Sequence, residues 1–229
     1  MSYTRDQIRT RVQRRLDAVG ATRWDTTAGN TGEQDQLISD AFDKEWRRIL
    51  SHAPMYRYGK RAVTTHATTG RVAISGLNSG SGDTLERLFR VLGVVVGTIP
   101  YEEVQFKRWM LAEDLGISAH IWWREGDNMM LLPKALSTAV TVHTNHIPVR
   151  IADLSLGTIA VTFPDGYEEV PVLEATADLL MKGGAEIDTT RLLRQEAEVK
   201  RQDMLQDLSR FSTKPMRMEY DDDPVDWGG

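Results

Sequence analysis

The chain has no cysteine among its 229 residues, which removes disulfides and thiolate metal ligands and leaves stability to packing and assembly. It also lacks any run approaching the ~20 consecutive apolar residues of a membrane-spanning helix. The opening MSYTRDQIRTRVQRRL is basic and amphipathic but has no apolar stretch of the kind a secretory signal needs, so synthesis and residence in a cytoplasm are expected. Positive charge is not in surplus: 28 Lys and Arg against 33 Asp and Glu give a formal charge of −5. Generic affinity for nucleic acid draws on a concentrated positive field, so this balance argues against it and leaves room only for a local basic patch.

Reaction motifs are wanting too. Gly80-Ser81-Gly82 fails the nucleophile-elbow frame because Asp83 stands two residues after Ser81, and no Gly-x-x-x-x-Gly-Lys phosphate loop exists. His143 and His146 are three apart in an extended segment, where side chains alternate between faces, and neither a thiolate nor a glutamate stands beside them. Asp221-Asp222-Asp223 lacks further spaced oxygen ligands and reads as a solvated acidic run. Asp165, Glu168 and Glu169 gather at a helix start, where they suit the macrodipole better than acid–base catalysis. No metal, cofactor or catalytic residue is therefore expected, and no internal repeat appears at solenoid periods.

What is present is helical periodicity at both ends of a chain long enough for one or two domains. Thr4 with Gln7 forms a capping box, and Ile8, Val12 and Leu16 mark one face as far as Gly20. Five arginines lie on this helix and read as its solvated side, with Arg11, Arg14 and Arg15 the candidates for contact with phosphate or an acidic partner. After a loop over residues 21–32, Thr31 and Gln34 can cap a second helix carrying Ile38, Phe42, Trp46 and Ile49. Over residues 164–211, Val172, Thr176, Leu179 and Leu180 form one face of a helix primed by Pro171 and ended by Gly183-Gly184, with Glu174, Asp178 and Lys182 on another face. Asp188 or Thr189 can cap the next helix, in which Leu193, Ala197, Met204, Leu208 and Phe211 line up among charged residues.

The middle reads as strands: residues 56–66 and 71–75 around a Thr68-Thr69-Gly70 turn, 85–96, a hairpin of 118–124 with 128–132, and 139–143. A helix interrupts them, with Pro100 at its start, Tyr101, Val104, Leu111 and Leu115 along it, and Gly116 after its end. The expected fold class is α+β: a helical bundle frame from residues 1–53 and 151–211, a small antiparallel β module inserted at 54–150, and an extended tail at 212–229. One of Trp122 and Trp123 should face out of the hairpin, which favours a subunit interface over a stacking platform. The tail spaces Met216, Met218, Tyr220, Val225 and Trp227 among acidic residues, as a segment does when it orders on a partner.

The order so far is an N-terminal helix pair with Glu45-Trp46-x-x-Ile49, a β-rich middle, a Pro164 turn into Leu173-Glu174-Ala175-Thr176-Ala177-Asp178-Leu179-Leu180, a Gly-Gly break, a long charged helix and a tail. Over essentially the whole chain, this order resembles the tailed-phage head-to-tail adaptor proteins, including the tail accessory factor of short-tailed phages. The resemblance implies a non-enzymatic virion component assembled in the host cytoplasm: a ring of twelve copies beneath the portal protein, extending the channel for genomic DNA and offering a platform to tail or nozzle proteins. It also implies that the tail from Met216 to Trp227 reaches along the portal. One relative in the short-tailed group is linked to peptidoglycan hydrolysis, so a hydrolase using Asp165, Glu168 or Glu169 is the first alternative. A DNA-binding module built on the arginines of the first helix is the second.

Overall fold

A computed structural model describes residues 3–20, 31–78, 80–117, 119–184 and 187–211. The tail residues Met216, Met218, Tyr220, Val225 and Trp227, and most of the loop expected at 21–32, lie outside the described residues.

Helix α1 (Arg5–Ala18) starts at the capping box expected for it: Gln7 N donates to Thr4 Oγ1 at 3.3 Å, and Thr4 N donates to Gln7 Oε1 at 2.9 Å. Its apolar stripe of Ile8, Val12 and Leu16 is buried. Helix α2 (Thr31–His52) buries Ile38, Phe42, Trp46 and Ile49, with the Phe163 ring edge-on to Phe42 at 5.2 Å and to Trp46 at 5.5 Å. Edge-to-face contacts of this kind add a fraction of a kcal/mol to about 1.5 kcal/mol beyond the area they bury.

Helices α4 (Glu169–Gly183) and α5 (Ile187–Leu208) follow a turn at residues 164–167. Gly184 ends α4 with φ 78°, a left-handed conformation that a Cβ would oppose. Two sequence readings need correction here. Helix α4 is not one-sided: every residue from Val170 to Ala177 is buried, Glu174 included, because α1, α2 and α5 all pack around it. Helix α5 begins at Ile187, ahead of the caps expected at Asp188 or Thr189.

The β region differs most from expectation. Strands β1 (Tyr58–Thr64), β2 (Val72–Ala73), β3 (Glu86–Val96), β4 (Ile99–Glu103), β5 (Ile121–Glu125), β6 (Asn128–Leu132) and β7 (Ala139–Pro148) form one seven-stranded sheet in the order β1-β7-β3-β4-β5-β6-β2. The two edges approach each other, since the 3-10 turn Ile74–Leu77 after β2 touches β1, and the sheet nearly closes into a barrel. The expected helical bundle frame with a small antiparallel module is therefore wrong, and the chain is a mixed α/β fold with a substantial sheet.

Three features account for the error. Strands β3 and β7 run for eleven and ten residues and pair along most of their lengths. Strands β1 and β2 flank one turn but pair elsewhere, with β7 and β6. Strands β4 and β5 pair in parallel, which needs a crossover, and helix α3 (Phe106–Asp114) supplies it. Helix α3 is also shorter than expected, because Pro100 and Tyr101 pair with Val95 and Val94 in β4 and the helix starts only at Phe106.

Two cores result. Val72, Leu77, Val94, Tyr101, Trp122, Met129, Leu131, Val140 and Val142 fill the barrel. The helical core gathers α1, α2, α4 and α5, and Ile147 at the end of β7 with Ile151 just after it belongs to that second cluster. Strand β7 thus ties the two layers together.

Candidate functional site

Three charged residues are buried where α2, α4 and α5 meet. Arg201 donates from Nε to Glu45 Oε2 and from Nη2 to Glu45 Oε1, each at 2.9 Å, and also bonds Glu174 and Glu198. Lys44 Nζ reaches Glu174 at 3.3 Å and Arg48 reaches Glu45 at 2.6 Å, so cations and carboxylates interleave. Burial disfavours the charged guanidinium, yet the hydrogen bonds and charges of Glu45 and Glu174 outweigh it and hold the Arg201 pKa above its ordinary value. Burial likewise opposes ionisation of Glu174, and the Arg201 hydrogen bond with the Lys44 charge turns the balance so that its pKa is lowered. Periodicity puts Glu174 on a different face from Val172, Thr176, Leu179 and Leu180, and Arg201 among the charged residues that fill the rest of α5.

The expected interface tryptophans separate. Trp122 points into the barrel core, while the half-buried Trp123 lies outside it with its ring 4.7 Å from Phe106 and 6.1 Å from Trp109. Around them α3 leaves Phe106, Met110, Leu111 and Leu115 exposed, followed by Ile117, with Leu115 at 70%. The indole nitrogens of Trp109 and Trp123 are buried without a partner. This apolar surface, missed in the sequence, had a signal: Phe106, Trp109, Met110, Leu111, Ala112 and Leu115 encircle more of the helix than one packed face can cover.

The arginines of α1 divide similarly. Arg5 and Arg9 both bond the largely buried Asp35. Arg11 and Arg15 pair with Glu169 at the start of α4, and Arg11 also lies over the Tyr3 ring at 3.8 Å. Arg14 is exposed and forms no ion pair among the described residues.

Of the three carboxylates at the start of α4, Glu169 is thus committed to two cations. Glu168 is buried, with Oε2 accepting from Gly166 N at 3.0 Å and Oε1 without a partner. The two histidines of β7 lie on opposite faces: His143 shares a 2.5 Å hydrogen bond with the Tyr58 hydroxyl, and His146 Nε2–H donates to the Leu77 carbonyl at 2.9 Å. Burial, and secondarily the Lys60 charge, lowers the His143 pKa, and burial raises that of Tyr58. Among the described residues no group of three or more His, Asp or Glu side chains could hold a metal ion.

No protein-family model matches the chain, and no curated protein is significantly similar to it.

Proposed function

We propose that the chain is a structural adaptor of a tailed-phage virion, forming a ring beneath the portal that joins head to tail and extends the DNA channel. The observation that carries this reading is the uncovered apolar surface of α3 and Ile117, which a second copy or a tail component would cover. Three-helix locking through Arg201 also suits a component that bears load between larger assemblies, because it fixes α2, α4 and α5 in one arrangement.

The roles follow from those surfaces. Phe106, Met110, Leu111, Leu115 and Trp123 pack against a neighbour. The tail residues Met216, Met218, Tyr220, Val225 and Trp227 engage the portal, and tail or nozzle proteins attach below. Genomic DNA passes through without sequence-specific contacts, and no enzymatic step is assigned. Negative-stain imaging of the full chain, alone and mixed with purified portal rings, tests the proposal. Twelve-fold rings or ring caps on the portal are expected; a monomer that leaves portal rings bare at micromolar concentration would sink it.

A further inference from the structure

Beside the start of β1 lies a polar cavity of about 360 Å³, with Arg57, Gly59, Arg61, Glu86 and His146 in its lining. Its shape follows from the strand period. In β7, Val140 and Val142 face the barrel core, so Thr144 and His146 continue that face, and the register sets Gly59 opposite Thr144 and Arg61 opposite Val142. Arg57, Gly59 and Arg61 alternate along the chain, so two arginines flank a position that has no side chain. A Cβ at Gly59 would lie 3.8 Å from His146 Nδ1, which puts the imidazole on the floor of that gap.

The cavity offers donors and acceptors together. Arg61 is half-buried, and its guanidinium forms no ion pair or hydrogen bond among the described residues. Arg57 bonds Glu86 through Nη2 and lies 5.2 Å over the Trp46 ring, which holds it at the rim. His146 is 3% exposed and commits Nε2–H to the Leu77 carbonyl, so the neutral ring presents the Nδ1 lone pair as an acceptor. No hydrogen bond reaches that nitrogen among the described residues. Glu86 is a second acceptor: Arg57 takes Oε1, and Oε2 has no hydrogen bond among the described residues.

A bare anion would satisfy the arginines and leave both acceptors unmatched, whereas a ligand with hydroxyl groups beside its anion satisfies both sets. The planar fork of arginine suits phosphate oxygens. We propose that this cavity binds a small phosphorylated polyol, with its phosphate monoester between Arg57 and Arg61 and its hydroxyls donating to His146 Nδ1 and Glu86. The bound molecule bridges β1, β3 and β7 at the strand ends where these residues stand.

Isothermal titration calorimetry of the full chain tests the proposal with glycerol phosphate as the probe. One molecule should bind per chain, and inorganic phosphate and glycerol, which each carry half of the recognised chemistry, should bind about tenfold more weakly or less. Arg61→Gln removes a guanidinium that has no partner in the fold, so the variant should keep its thermal midpoint and lose about tenfold in affinity. Gly59→Ala, whose Cβ fits in ordinary contact, should also fold and bind more weakly because the gap is narrowed. Arg124→Gln, on the remote hairpin, should bind as the parent does. Absence of binding at millimolar glycerol phosphate overturns the proposal, and so does an equal loss in Arg61→Gln and Arg124→Gln, which would assign the attraction to net charge. Inorganic phosphate that binds as tightly as glycerol phosphate overturns the role of the two acceptors. The cavity uses neither the α3 surface nor the portal, so this proposal and the adaptor proposal can fail independently.

Discussion

Arg201 on α5 and Glu45 on α2 lie 156 positions apart and share two hydrogen bonds of 2.9 Å with both side chains buried. Burial disfavours the charged guanidinium, and the hydrogen bonds and charges of Glu45 and Glu174 outweigh that cost. Arg201→Met removes the buried cation that bridges both carboxylates and leaves them the partly exposed Arg48 and Lys44. Breaking a buried ion pair from one side costs up to about 3–5 kcal/mol, which urea unfolding should read as a lowered midpoint at unchanged slope. Replacing all three together, as Arg201→Met, Glu45→Leu and Glu174→Leu, should recover most of that loss. A triple variant no more stable than the single one would show that the cluster does more than neutralise itself.

The lowered pKa of Glu174 gives stability a sign with pH. A carboxylate depressed below its ordinary value of 4.5 stabilises the fold above that value, and the contribution is lost as pH falls through the folded-state value. Unfolding free energy should therefore be level in this group above about pH 5 and decline below it. In Glu174→Gln the decline should be shallower. An identical acid limb in the two proteins would place the titration elsewhere.

The α3 surface separates association from folding. Leu111→Lys with Leu115→Lys changes two exposed side chains, so the unfolding free energy should stay within about 0.5 kcal/mol of the parent. Self-association measured by sedimentation velocity, and capping of portal rings, should be lost. Unchanged association would move the interface to another face.

Gly80 occupies φ 70°, and a Cβ there would overlap the carbonyl oxygen of Thr84. Gly80→Ala should cost about 1–3 kcal/mol through strain. Gly82→Ala, at φ 52° with open space around it, should cost less, and the two variants compared by thermal unfolding check whether backbone overlap is the difference.

Removal of residues 212–229 should leave the thermal midpoint within a few degrees of the parent, a change of no more than about 1 kcal/mol. Binding to portal rings should weaken, and surface plasmon resonance against immobilised portal reads that loss. Unchanged affinity would reassign the portal contact to the body of the protein.

Local order was legible where local chemistry sets it. The Thr4–Gln7 box, the Ile8, Val12 and Leu16 stripe, the glycine that ends α4 and the hairpin turning at Gly126-Asp127 all rest on neighbours within a few residues. The sheet was not legible, because its pairings are set by distant partners. Nothing near residues 139–148 says that they will be flanked by β1 on one side and β3 on the other, and the polar run His143, Thr144, Asn145 and His146 reads as a strand ending. All four are buried, and Tyr58, Gly59, Pro54 and Leu77 come from elsewhere to bond them, with only Asn145 Oδ1 left buried without a partner. Expecting strands to pair across the nearest turn produced a small module where a nearly closed barrel stands.

The sequence by itself determined which segments become helices and turns, and that no disulfide can hold them, because propensity, capping and composition act over short distances. Only the tertiary structure decided which polar residues are interior and which apolar ones stay outside. Glu45, Glu174 and Arg201 are placed inside by three helices that meet across more than a hundred residues of chain. Phe106, Met110 and Leu115 are left out because the barrel wall has room for only one face of α3. Burial belongs to a position in the assembled fold, and neither group carries a local mark of it.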